Sequence, residues 1–362
     1  MDLTRRDVLA FRARAQQLGR DAGSLEDTAV LDLGVQDTGT DGAAWALALR
    51  GLPDPPADEL VLLWTLRGAP HAYRRADVGG VAAATAPFSD ADAAKRMFDA
   101  ARPLKAAGTP ALAGLDTVAA RMREIVDRPT VKGELSTRLT AVLEEPYLRN
   151  CVPCGAVHAY EQPFRLAALR AGLELEPGTS PPVLRPIPGF APAGTAPEHL
   201  DVVRGYLRLL GPATPAHVAG YVDAPLKEVK AHWPTDAVEV RVDGERRWVL
   251  AEDADRLTGE APGGTLLLGS HDLFLQARDR ATIVPDAARA KELWRIIGRP
   301  GAVLADGDVV GSWRARKAGT SLDLTMEPFG PLPSRLRAAV EAQAERLADH
   351  RGLTLRSLST GD

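Results

Sequence analysis

The chain has 362 residues, 45% hydrophobic and 25% charged, a globular composition that excludes disorder along its whole length. That length is more than one ordinary hydrophobic core organises, so two or three modules are expected. Lys and Arg total 44 against 48 Asp and Glu, a net charge of -4, which argues against binding nucleic acid through bulk charge but permits local basic grooves.

The first predicted elements are helices over residues 3–18 and 39–52, followed by a hairpin over 60–75 that turns around Gly68. A similar series follows. Residues 112–129 read as a helix, 129–143 as a helix pair, 147–163 as a hairpin, and 164–175 as a further helix. The Pro-rich stretch 177–197 is the best linker candidate.

The third series is the most regular. Apolar residues at Val202, Val203, Tyr206, Leu207 and Leu210 have helical spacing. Thr214 and Pro215 then supply an N-cap and a first helical position, and a break at Asp223-Ala224-Pro225 precedes a short helix over 226–233. Two alternating strands around Asp243-Gly244 close the series as a hairpin. Helix, turn, small helix, short helix and hairpin make a winged helix-turn-helix.

Residues 263–329 are strand-rich, with an Asp306-Gly307 turn, and predict a small antiparallel sheet or barrel, closed by an amphipathic helix over 334–349. The expected fold is therefore α+β: three tandem winged-helix units over 1–111, 112–190 and 191–262, then a β-rich module over 263–362.

The two cysteines cannot build a disulfide framework, the N-terminal stretch is charged throughout, and no run approaches 18 apolar residues. A cytoplasmic protein with no membrane contact is expected. Cys151, Cys154 and His158 have C-x2-C-x3-H spacing, three of the four ligands a zinc site needs, with Glu161 the nearest acidic residue. Reduced thiols in a tight hairpin turn fit better, so neither metal nor cofactor is expected. Ser270-His271-Asp272 invites a triad reading, but neighbours on a strand face opposite ways and cannot act on one another.

Four stretches carry a family resemblance: residues 30–50, the hairpin 60–75 with His71 after its turn, the segment 212–222, and residues 266–280 with 302–317. In this order they resemble the winged-helix DNA glycosylase superfamily, which includes bacterial enzymes that unhook interstrand crosslinks and protect azinomycin B producers. The resemblance implies hydrolysis of alkylated or crosslinked purine nucleotides in double-stranded DNA by a nucleoid-associated monomer. Its catalytic motif is Gln-apolar-Gln or Gln-apolar-Asp, and the aligned residues here are Gln36-Asp37-Thr38. Gln36 matches. Asp37 and Thr38 depart from the pattern.

Two readings of this stretch stand side by side. In one, Gln36 orients a water, Asp37 supplies the carboxylate and Thr38 is an accessory polar group. In the other, Asp and Thr cap a helix entry, which favours a DNA-binding protein without catalysis. By the resemblance, DNA contacts fall to His71, Arg74 and Arg75 on the first wing and to Arg246 and Arg247 on the third. Arg314, Arg316 and Lys317 would add phosphate contacts from the β-rich module.

Overall fold

A computed structural model describes residues 1–40 and 42–361; the side chain of Cys154 lies outside the described residues. The architecture is α+β, with helices, several sheets and a β-rich C-terminal part. Contacts divide the chain into two units. One gathers Met1–Pro55, Gly205–His217 and Pro234–Asp362, and the other gathers Pro56–Arg204 and Val218–Trp233.

In the first unit, helix Arg5–Ala15 starts at a reciprocal cap: the Asp7 amide donates to Thr4 Oγ1, and Asp7 Oδ2 accepts from the Thr4 amide at 2.8 Å. Its Val8 and Phe11 pack with Leu3, Val240, Val242 and Val249. The last three come from a hairpin, Ala237–Val242 and Glu245–Leu250, whose Asp243 and Gly244 both have positive φ, as a two-residue turn matched to strand twist requires. Strand Asp2–Leu3 joins that hairpin in parallel, Leu3 opposite Val242.

The second sheet of this unit follows chain order: Thr265–Leu268, Gly301–Ala305, Asp308–Ala318, Ser321–Pro328 and Thr354–Thr360. Asp306 and Gly307 make the same kind of turn. Within 263–329 the strands pair antiparallel as expected, but the C-terminal module as a whole is mixed, because Thr354–Thr360 pairs in parallel with Ser321–Pro328. Parallel neighbours need a crossover, which helix Ser334–His350 supplies while burying Val340, Ala344 and Leu347.

The second unit holds an antiparallel run of strands Pro70–Arg74, Leu60–Trp64, Leu173–Leu175, Val183–Pro186 and Thr130–Val131. Helices Ala111–Ile125 and Glu161–Arg170 pack through Leu115, Met122, Phe164 and Ala167 in its core. Two expectations change here. The pair read over 129–143 is one helix, Lys132–Val142, because β-branched Thr130 and Val131 enter the sheet instead. The Pro-rich stretch is no free linker: Val183–Pro186 is a paired strand and Leu184 and Ile187 are buried. No described helix is long and apolar enough to cross a membrane.

Candidate active-site cleft

The motif region begins at the buried turn Val30–Leu33, reverses at Gly34 with φ 87°, and runs into the short strand Val35–Gln36. Val35 is buried, so the alternation of extended backbone turns Gln36 the other way. The Gln36 side-chain amide donates to Thr38 Oγ1 at 3.0 Å. Between them, Asp37 Oδ1 accepts the Ala43 N–H at 2.9 Å, at the start of helix Gly42–Ala48. The Asp37 carboxylate therefore makes a helix-entry contact. It also fixes its neighbour. A Cβ on Gly42, where φ is 40°, would lie 1.8 Å from Asp37 Oδ1, so no other residue fits there.

Gln36 and Thr38 line a cavity of about 360 Å3, together with His271, Arg299, Arg314 and Arg351. Its walls are braced by hydrogen bonds. The indole N–H groups of Trp45 and Trp313 donate to consecutive carbonyls, Leu267 at 2.6 Å and Leu268 at 2.9 Å. Beneath it, Asp272 takes both terminal nitrogens of Arg50 at 2.8 and 2.9 Å, with both side chains buried, and also accepts the Phe274 N–H. Asp272 is the one carboxylate among the described lining residues, and Arg50 neutralises it. Arg314 forms no ion pair among the described residues, and one of its donors reaches the Gly298 carbonyl at 2.5 Å. The described lining thus sets three guanidinium groups, Arg299, Arg314 and Arg351, against one carboxylate. A second hollow of about 270 Å3 extends it, sharing Thr40 and Arg351 and adding Lys317.

The Ser270-His271-Asp272 sequence lies in a turn, not on a strand as its surroundings suggest. Ser270 Oγ and His271 Nδ1 are 3.0 Å apart, while Asp272 is committed to Arg50. A triad is absent for that reason, not through strand alternation.

The remaining sequence-derived residues scatter. His71 is fully buried, its Nδ1 at 3.0 Å from Thr65 Oγ1, where a DNA-contacting wing position was expected. Arg74 lies 3.4 Å from Asp77. Every guanidinium nitrogen of Arg75 is bonded within its own unit, to Glu174 and to the carbonyls of Asp58 and Leu60. Arg246 and Arg247 separate by strand alternation: Arg246 is exposed beside Glu239, and Arg247 is buried against Asp279 at 2.5 Å. Arg316 is exposed, opposite Asp323 on the adjacent strand.

At the hairpin Leu148–Cys151 and Ala156–Ala159, Cys151 is buried and His158 Nδ1 is 2.8 Å from the Ala159 carbonyl. Glu161 pairs with Lys132 and Arg165, and no group of three metal-ligating side chains occurs among the described residues. The Cys154 side chain lies outside them.

Arg299 and Arg351 were missed in the sequence. Arg299 sits in a Gly-Arg-Pro-Gly stretch, a turn signal that could have marked it; Arg351 follows the closing helix with no local signal.

The family model for AlkZ-like DNA glycosylases matches residues 30–350. The chain belongs to that family. Among solved structures it is similar to the Streptomyces sahachiroi DNA glycosylase AlkZ, at 24% identity over 100% of both chains with a TM-score of 0.74, a likeness of fold. No curated protein matches it. An AlkZ-like assignment implies DNA as the partner, and it directs attention to the cleft that holds Gln36.

Proposed function

We propose that this AlkZ-like protein is a monofunctional glycosylase that hydrolyses the N-glycosidic bond of alkylated or crosslinked purine nucleotides in double-stranded DNA. The observation that carries the reading is the Gln36–Thr38 hydrogen bond inside a cleft lined by Arg299, Arg314 and Arg351. An N7-alkylated purine is already cationic and leaves as a neutral base, so no strong general acid is needed. Gln36 and Thr38 together offer an acceptor and donors that hold a water against C1′ as the bond to the base breaks. Arg299, Arg314 and Arg351 grip flanking phosphates, and Asp37 acts as a positioning residue that sets the Gln36–Thr38 loop on the helix. Tandem winged-helix units over 1–111, 112–190 and 191–262 would carry the duplex as a monomer.

One observation favours a second reading, DNA binding without catalysis. The only lining carboxylate described is neutralised by Arg50, and Asp37 is turned to a backbone amide.

Single-turnover release of N7-methylguanine from a labelled duplex separates the two. The Gln36→Ala variant should release base at least about 10²-fold more slowly, the size carried by one positioned polar group. Asp37→Asn should stay within a few-fold of wild type, since asparagine caps a helix as well as aspartate does. A collapse in Asp37→Asn would return the carboxylate to the chemistry. No release by wild type from either this lesion or a crosslink, with duplex binding intact, would establish the second reading.

The arginine assignment has its own check. In a plot of log binding constant against log salt, Arg314→Ala and Lys317→Ala should each flatten the slope by about one, one phosphate contact apiece. Arg75→Ala and Arg247→Ala should leave it unchanged, because their guanidinium groups are engaged within the protein.

A further inference from the structure

We propose that Ile296 and Ile297 form an apolar wedge that enters the base stack beside the nucleotide held in the cleft. This rests on the reading that the cleft receives duplex DNA. Ile296 is 100% exposed and Ile297 82% exposed, and they immediately precede Gly298–Gly301, which lines the cleft. The other large apolar side chains exposed among the described residues of this unit, Met1 and Val238, do not belong to that lining. Two adjacent β-branched side chains in water are unfavourable for the free protein unless a partner covers them.

The surrounding structure holds the pair out. On one side, Trp294 is buried, donates its indole N–H to the Leu275 carbonyl at 2.9 Å, and lies under the Arg280 guanidinium at 5.1 Å. On the other, the Gly298 carbonyl accepts from Arg314 and Pro300 is buried. The projecting residues, Arg295 to Ile297, are thus clamped at both ends, as a wedge needs if pushing on a base step is not to bend it back. Charge identifies the partner. Arg295, exposed and 3.5 Å from the exposed Glu292, and Arg299 bracket the isoleucines while Arg314 anchors the loop, a pattern that fits a phosphate backbone on both sides of an opened apolar step. Opening a step exposes the damaged nucleotide, and the isoleucines replace the stacking contacts it gives up.

The test uses the full chain and a duplex with 2-aminopurine stacked beside N7-methylguanine. Saturating wild type should raise the fluorescence several-fold as the step opens. The Ile296→Ser/Ile297→Ser variant should keep its melting temperature and its duplex binding, since both side chains are exposed, but lose the rise. Its base release from fully paired duplex should fall about 10-fold or more, and far less when the lesion faces an abasic site that already weakens stacking. A rise retained by the variant, or absent from bound wild type, overturns the wedge. A concentration-dependent dimer that dissociates in the variant, with the fluorescence rise intact, reassigns the patch to a second copy of this chain. A rise without base release refutes the glycosylase reading alone and leaves the wedge standing.

Discussion

Replacing Asp279 by asparagine is expected to lower folding stability by about 3–5 kcal/mol, the range for removing one partner from a buried ion pair. Its Oδ2 accepts from Arg12 at 2.8 Å and from Arg247 at 2.5 Å, and all three side chains are almost fully buried. Thr282 Oγ1 and the Gly211 carbonyl take two further guanidinium donors, at 3.2 and 3.0 Å. The cluster therefore holds two buried cations on one buried anion, and deleting that anion leaves Arg247 only the exposed Glu245 at 3.5 Å and Arg12 no ion pair among the described residues. Burial alone would push this carboxyl up, but the Arg12 and Arg247 guanidinium groups hold it below its ordinary value of 3.8. A depressed folded-state value makes its contribution complete above 3.8 and lost as the pH falls below that. The gap between wild type and Asp279→Asn in urea denaturation should therefore be widest near neutrality and narrow under strongly acid conditions. A constant gap would mean the loss is packing and not charge.

Asp272→Asn is expected to cause a loss of similar size, about 3–5 kcal/mol, read as a main thermal transition roughly 10 °C lower. Here the effect reaches the chemistry. Asp272 ties the turn Gly269–His271 to Arg50, whose other contacts are the Ala46 carbonyl and Gln16 Oε1. One ion pair thus joins the cleft floor to the helix that Asp37 caps. Below its melting temperature, the variant should still release base more slowly, with duplex binding nearly unchanged, because misplacing a positioning group penalises turnover more than association. Unaltered single-turnover rates would show that the turn keeps its shape without the pair.

Some elements of this fold are decided by neighbouring residues and others only by the folded whole. Asp243-Gly244 and Asp306-Gly307 were legible as hairpins because a two-residue turn is decided by its own residues. The helix over Val202–Leu210 was legible because its apolar period repeats within nine residues. By contrast, Arg246 and Arg247 look alike in the sequence. Their fates differ because the partner of Arg247 lies 32 residues further on. Arg299 and Arg351 meet at one cleft only after five strands and a long helix have folded. The strand Thr354–Thr360 was missed since Thr-Leu-Arg-Ser-Leu-Ser-Thr has little apolar alternation and gains its place from the edge of a sheet already built. At the motif itself, the sequence offered capping and catalysis for Asp37, and the direction of its carboxylate toward the Ala43 N–H is seen only once the chain is folded.

The unit that carries the cleft is assembled from three separate stretches, and its N-terminal strand Asp2–Leu3 finds its neighbour only at Arg241–Val242. On the ribosome, the first 55 residues must wait for well over half the chain to emerge before that pairing can form. Residues 56–204, by contrast, leave the exit tunnel as one uninterrupted block whose contacts are mostly with itself. Synthesis should therefore deliver a folded middle first and hold the glutamine-bearing stretch in waiting, exposed to chaperones or proteases, until the last sheet closes. A translation product that stops before residue 299 would carry Gln36 without Arg299, Arg314 and Arg351, which line the cleft with it.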